Sequence, residues 1–386
     1  MRASCILVLV LACVAPAWAK GPTPLATFKP DSAVFIDDPF VVRDDGKAVA
    51  YISTDGANTA ALHLAALPPA GPETIYAGLP VDVWKLRFLS PDRILVIVRD
   101  SSTGKVTAQV FSPKGATNKL GPVDDIELGT VKGKPAVVTY QRREQRGAVE
   151  HVIAAYDRQS FRSLGTRTLR EDKEGRVASG AARFKILWWQ DGLTSAAALE
   201  AGDYDQKHDI RRPNRFARFE VFENQLEDAQ EIGDLLGFAQ ASLAHRKHPN
   251  QALFAHLSDD HRQLLLTDGM SEHPLTLDRA LSMYDAATFA YQPLDGKRLA
   301  LSFAIDPMNP EAQARKKAVP NDFELYLVDR ASRKATLALA LAGDGRPVTW
   351  RVGGDKVAVL HKSVGFDRGG VALEIYSLGA MKTAGR

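Results

Sequence analysis

Cysteine is almost missing from this 386-residue chain, and the two present, Cys5 and Cys13, both stand near its start. If that start is a removable leader, the processed chain has none. Disulfide stapling, thiolate nucleophiles and Cys-ligated zinc are then excluded, and stability must come from a packed core. An excess of one charge is also lacking, with 49 Lys and Arg against 46 Asp and Glu for a net charge of +3. That balance argues against a general binder of nucleic-acid polyanions. No apolar run approaches the roughly 20 residues needed to span a bilayer. The remaining composition is an ordinary globular mixture, 45% hydrophobic and 25% charged, with 29 Gly and 21 Pro.

Met1 and Arg2 make a short positive start, and residues 5–16 are almost wholly apolar. Ala17-Trp18-Ala19 then places small residues at both key positions of a cleavage site. This order predicts a Sec-type signal peptide over 1–19, cut after Ala19, and a periplasmic or extracellular destination. Val10-Leu11-Ala12-Cys13 loosely resembles a lipobox, so a lipoprotein anchored at Cys13 is the alternative. Residues 20–386 are expected to form a single soluble domain.

A recurring unit runs through those residues: an apolar strand, a tight turn with Asp or Gly, a second apolar strand, then a third ending in a polar residue. The clearest copy reads Thr288-Phe289-Ala290-Tyr291, Leu294-Asp295-Gly296-Lys297, Arg298-Leu299-Ala300-Leu301-Ser302-Phe303 and Glu324-Leu325-Tyr326-Leu327-Val328-Asp329. Asp-Gly supplies the positive φ that a tight hairpin requires, and the flanking residues suit strands. Earlier copies place Asp45-Gly46-Lys47 before Ala48-Val49-Ala50-Tyr51-Ile52, and Ser90-Pro91-Asp92-Arg93 before Ile94-Leu95-Val96-Ile97-Val98. The residue after each turn would be Lys47, Arg93, Lys134, Leu193, Gln251, Lys297 and Lys356. Their average spacing, roughly 51 residues, lies in the range of four-stranded propeller blades. The chain therefore reads as an all-β, seven-bladed β-propeller, with six or eight blades still compatible.

The Ser90-Pro91-Asp92-Arg93 and Leu294-Asp295-Gly296-Lys297 turns are each followed by an apolar strand and then by a strand of the Leu-Tyr-Leu-Val-Asp kind. These residues resemble the WD40-like PD40 repeats of TolB-type β-propellers. The first, second and sixth copies carry the resemblance, while the third, fifth and seventh match by spacing and hydrophobicity. No Trp-Asp dipeptide occurs, so WD40 repeats proper are not indicated. The resemblance implies a propeller fold and protein–protein contact in a bacterial periplasm.

The seventh unit has candidate strands near 348–352, 357–360 and 371–378. Residues 25–28 or 33–36, ahead of the first unit, are expected to supply its outer strand and close the ring. Residues 223–244 fit less well, because Leu226, Ile232, Leu235, Leu236, Ala239 and Leu243 give a partial helical period broken by Gly233 and Gly237. An outer strand leading into the fifth blade and a short surface helix both remain open.

In a blade of strands a to d, the b–c and d–a connections leave one face and the a–b and c–d turns the other. Surplus length falls between strands b and c in the third, fourth and sixth units. Each surplus is basic: Arg142, Arg143 and Arg146; Arg211, Arg212 and Arg215; Arg315, Lys316 and Lys317. Insertions on one face of a repeat fold often mark its binding surface. These nine cations are the expected contacts for a protein or an anionic envelope component. The plainer alternative is a set of solvated loops, since Glu144, Asp203, Asp205, Asp209 and Asp322 are interspersed.

Other chemistry is faintly marked. His245, His248, His256, His261 and His273 cluster, yet Arg246 and Lys247 between the first two repel a cation, and no metal or other cofactor is expected. Asp203, Asp205 and Asp209 lack the Gly and closing Glu of an EF-hand loop. Gly269-Met270-Ser271-Glu272-His273 lacks the closing Gly of a nucleophile elbow, so no catalytic residue is assigned. Trp84, Trp188, Trp189 and Trp350 fall on expected inner strands, where packing between blades explains them. The leading expectation is a monomeric, non-catalytic binding propeller with no nucleic-acid partner and no membrane span. The rival is a propeller enzyme, of hydrolase or lyase type, with acids or histidines converging at the central channel.

Overall fold

The computed structural model describes residues 22–28, 40–54, 59–69, 74–80, 82–145, 147–180, 182–200, 202, 204–208, 210–211, 214–227, 231–232, 254–258, 262–267, 272–281, 289–294, 297–304, 323–329, 331–341, 345–363 and 371–378. Runs of β-branched and aliphatic residues set the plan. In the strand Arg93–Arg99, residues Ile94, Leu95, Val96 and Ile97 are all 0% exposed, and Leu299, Leu301 and Phe303 of Arg298–Ala304 are equally enclosed. Because successive side chains point to opposite faces, such strands must be covered on both sides by neighbouring sheets.

Strands pair with their sequence neighbours into antiparallel sheets. The first sheet runs Phe40–Val42, Ala48–Thr54, Thr59–Ala66 and Thr74–Pro80, and the second Val83–Ser90, Arg93–Arg99, Val106–Ser112 and Gly115–Val123. The third runs Asp125–Val131, Lys134–Gln145, Ala148–Asp157 and Ser163–Arg170. The fourth is ordered Val177–Ser179, Ala182–Gln190, Ser195–Glu200, Asn214–Glu220 and Gln225–Glu227, with Glu231–Ile232 also paired to Asn214–Glu220. The fifth has three described strands, Phe254–Leu257, Leu264–Thr267 and Glu272–Pro274. The sixth runs Ala290–Pro293, Arg298–Ala304, Phe323–Asp329 and Lys334–Leu341.

The last sheet draws on both ends of the chain. Gly345–Gly353, Lys356–Ser363 and Val371–Ser377 take Ala26–Phe28 as their outer strand, with Ala26 opposite Ile375 and Phe28 opposite Leu373. The closing strand is thus the first of the two expected segments, and 33–36 lies outside the described residues. Cores form between successive sheets. Phe28, Phe40 and Tyr51 pack with Leu373 and Ile375 across the seam, and Leu62 packs with Leu86 and Ile94 at the next junction. Ile97 and Val110 meet Ile126 and Val137, Val138 and Ile153 meet Phe184 and Phe219, and Leu325 meets Trp350 and Val359. The architecture is a β-propeller.

One unit departs from the expected repeat, the fourth. In the fourth, a 3-10 turn at Asp191–Leu193 intervenes, so the next strand begins at Ser195 rather than at Leu193. Gly192 there has φ 60°, and a Cβ on it would strike the carbonyl of Leu128 in the third sheet. The fourth sheet also begins with an additional short strand, Val177–Ser179. In the fifth unit the described hairpin joins Phe254–Leu257 to Leu264–Thr267, and the turn expected just before Gln251, like Gln251 itself, lies outside the described residues. Of residues 223–244, the described part is strand at Gln225–Glu227 and Glu231–Ile232, and 233–244 lies outside them. Among the described residues, no helix is long and apolar enough to cross a membrane.

Candidate functional site

The surplus length of the third unit is a paired ladder and not a loop. Lys134–Gln145 and Ala148–Asp157 remain in register from Ala136 opposite Asp157 to Gln145 opposite Ala148. The adjoining first strand stops at Asp125 opposite Tyr140, so the hairpin tip extends beyond it. Arg142 and Arg143 therefore sit in a strand, both exposed and on opposite faces. Arg143 donates from Nε to Gln141 Oε1 at 2.9 Å, and Arg142 NH2 lies 3.8 Å from Glu144 Oε1.

Of the remaining basic residues, Arg211 and Arg215 are among the described ones. Arg215 lies in the strand Asn214–Glu220, 3.2 Å from Glu200. The backbone of Arg211 pairs with Tyr204 in a two-stranded ribbon within the fourth-sheet insertion. Arg146, Arg212, Arg315, Lys316 and Lys317 lie outside the described residues, as do His245, His248, His261, Asp203 and Asp209. Among the described residues, no three His, Cys, Asp or Glu side chains are arranged to hold a metal ion.

Beside the hairpin, the first strands of the second and third sheets bring together a charged lattice that sequence reasoning did not mark. Lys85 Nζ donates to Glu127 Oε2 at 3.0 Å and lies 3.8 Å from Asp125 Oδ1, while Arg87 Nε donates to Glu127 Oε1 at 3.1 Å. Burial opposes the charge on Glu127, but Arg87 and Lys85 more than offset it and hold the carboxyl below the ordinary carboxylate range. Asp125 goes the other way, because burial outweighs the attraction of Lys85 and pushes its carboxyl up. Lys85 Nζ also stands 3.9 Å from the centre of the Trp84 ring, and the Arg99 guanidinium 5.2 Å from it. One indole thus attracts two cations. Asp124 accepts from Lys105 Nζ at 2.5 Å and from the Arg142 backbone N–H at 2.7 Å, which ties the lattice to the hairpin.

The other face of the hairpin carries a polar chain turned toward the fourth sheet. Tyr140 OH is 2.9 Å from His151 Nδ1, and His151 Nε2 is 2.7 Å from Glu171 Oε1. Trp189 packs its ring 5.1 Å from Tyr140 and 5.8 Å from His151. Burial pushes the Tyr140 hydroxyl up, and His151 is enclosed. Trp189 and Trp350 thus serve packing between sheets, as expected, and Trp350 also donates from Nε1 to Ser302 Oγ at 2.7 Å. A sequence signal for the lattice does exist: Lys85 and Arg87 alternate on one strand, and Asp125 and Glu127 on the corresponding strand of the next unit.

No family model and no curated protein matches the sequence. Among solved structures, a chain of a mitotic checkpoint complex is 12% identical with a TM-score of 0.43, covering 96% of this chain and 99% of that one. The acylaminoacyl peptidase of Pyrococcus horikoshii is 11% identical with a TM-score of 0.42, covering 87% and 51%. The polysaccharide lyase Uly1 is 8% identical with a TM-score of 0.44, covering 90% and 91%.

Proposed function

We propose that the protein is an exported, seven-bladed propeller of the TolB type that binds rather than catalyses. It would hold a protein or an anionic envelope component on the face where strands b and c connect. The observation that supports this reading is the lengthened hairpin of the third sheet. It carries the exposed Arg142 and Arg143 on a paired ladder, and Asp124 anchors it beside the Trp84 indole and its two cations. Ordering backbone costs on the order of 1–2 kcal/mol per residue, and a fixed presenting surface accounts for that ordering where a solvated loop does not. Arg146, Arg211, Arg212, Arg215, Arg315, Lys316 and Lys317 would extend the same surface. The leader 1–19 would deliver residues 20–386 as one monomeric domain that needs no cofactor.

The test is capture from a native envelope extract by the mature chain and by a variant with all nine cations changed to Ser. The expected result is at least one partner retained by the first and lost by the second, with circular dichroism unchanged. An identical set of bound species would end the reading.

The enzyme reading is favoured by one observation, the opposite displacement of Asp125 and Glu127 on one strand. Carboxyls pushed apart in this way are how sites divide acid and base roles. On that reading Asp125→Asn abolishes turnover, whereas on the binding reading it leaves partner capture intact.

A further inference from the structure

The lengthened hairpin of the third sheet is covered along one edge and open along the other. On the far side, Ala148–Asp157 is flanked by Ser163–Arg170, with Glu150 opposite Arg170, and the Glu171 N–H donates to the Val149 carbonyl at 2.9 Å. On the near side, the strand Asp125–Val131 stops opposite Tyr140, and Gln141 to Gln145 run on beyond it. Asp124 closes only the start of that stretch. Its N–H donates to the Tyr140 carbonyl at 2.9 Å, and its Oδ2 accepts from the Arg142 N–H at 2.7 Å.

Alternate residues of a paired strand turn their backbone groups to opposite edges. Tyr140 and Arg142 direct theirs to the near edge, so Glu144, next in the series, does the same. Val149, the residue opposite Glu144, obeys the same rule by turning its carbonyl away to Glu171. The Arg142 C=O, the Glu144 N–H and the Glu144 C=O therefore stand in a row as acceptor, donor and acceptor. None of the three meets a partner among the described residues. Sheet edges are commonly blunted by bulges, by Pro or by charge. Here pairing from Ala136 to Gln145 carries no bulge, and neither Pro nor Gly occurs in 141–145, so charge alone remains. Arg142, Arg143, Glu144 and Gln145 are all exposed.

We propose that this edge takes an extended acidic segment of a partner protein as an added β-strand. The inference rests on the binding reading above and names the form of the partner. An extended backbone supplies donors and acceptors at the spacing of the three open groups. Its side chains alternate, one meeting Arg143 on one face and the next meeting Arg142 on the other, so acidic residues suit both places. Lys105, whose Nζ donates to Asp124 at 2.5 Å, adds a cation at the closed end. A second copy of this chain fits less well. Antiparallel self-pairing that sets Arg142 opposite Glu144 also sets Arg143 opposite Arg143, and the Arg142 N–H it needs is held by Asp124.

The experiment pans a displayed library of short random peptides on the mature chain and measures the selected peptides by fluorescence anisotropy. Selected sequences are expected to be acidic and free of Pro. Glu144→Pro removes the outward N–H without touching the ladder to Ala148–Asp157, and should weaken binding by at least about tenfold. Glu144→Gln keeps that N–H and should retain binding, with circular dichroism alike for both variants. N-methylation of alternate amides of the peptide tests the same pairing on the native chain, and one of its two phases should cause a like loss. Failure to enrich acidic sequences overturns the proposal, as does equal binding by Glu144→Pro or by both methylated peptides. So does a dimer of the native chain that Glu144→Pro dissolves in sedimentation, which would assign the edge to a second copy. If replacing the nine cations abolishes envelope capture while Glu144→Pro does not, the strand inference alone fails and the binding reading stands.

Discussion

Trp350 and Ser302 come from different sheets, yet one hydrogen bond between them satisfies both buried polar groups. Trp350→Phe removes the donor and is expected to lower unfolding stability by about 1–3 kcal/mol, read from urea denaturation. His361 shows how burial acts on a titrating group. It lies 3.2 Å from Glu374, but burial has the larger influence and holds its imidazole below the usual 6.5. The unfolded chain therefore takes up a proton at this position at a higher pH than the folded chain does. Stability should fall as pH drops through about 6.5 and below. Thermal melts from neutral to mildly acid pH check this, and His361→Phe should flatten that part of the profile. At this scale the sequence said little. Lys85 and Glu127 stand 42 positions apart, and their contact follows from how one sheet lies against the next rather than from local spacing.

Strands were the legible elements, for a definite reason. Where Asp-Gly or Pro-Asp supplies the turn, as at Gly46 and at Pro91-Asp92, the hairpin falls where turn chemistry and apolar alternation coincide. The closing strand could also be anticipated, because the seventh unit showed only three candidate strands, and Ala26–Phe28 fills the fourth place. Phe28→Ala should cost about 3–5 kcal/mol, since the ring packs beside Phe40, Tyr51 and Leu373, and a lowered urea midpoint with unchanged slope would show it. The fourth unit was less readable because its turn is shaped by a neighbour. Gly192 is required by φ 60° and by the nearness of the Leu128 carbonyl, neither of which a single unit reveals. Gly192→Ala is expected to destabilise by more than about 2 kcal/mol in the same assay. The third unit's surplus length was visible, but its character was not. Residues such as Arg142 and Arg143 look like loop until they are paired opposite His151 and Glu150.

Each core among the described residues belongs to two sheets at once, as Tyr51 and Ile375 do at the seam. A structure joined in this way should unfold as one unit. Far-ultraviolet circular dichroism and tryptophan fluorescence are expected to report coincident urea transitions, and two separated transitions would contradict this. Charge is also organised at this scale. A net charge of +3 conceals the mixed lattice of Lys85, Arg87, Asp125 and Glu127, because composition carries no position. The seam has a further consequence during synthesis. Ala26–Phe28 is made well before Val371–Ser377, so their pairing can form only once the sheets between them have been synthesised. A product that stops short of Leu373 and Ile375 leaves Phe28 without the partners it packs against across the seam. The seam therefore waits on every sheet that separates its two halves.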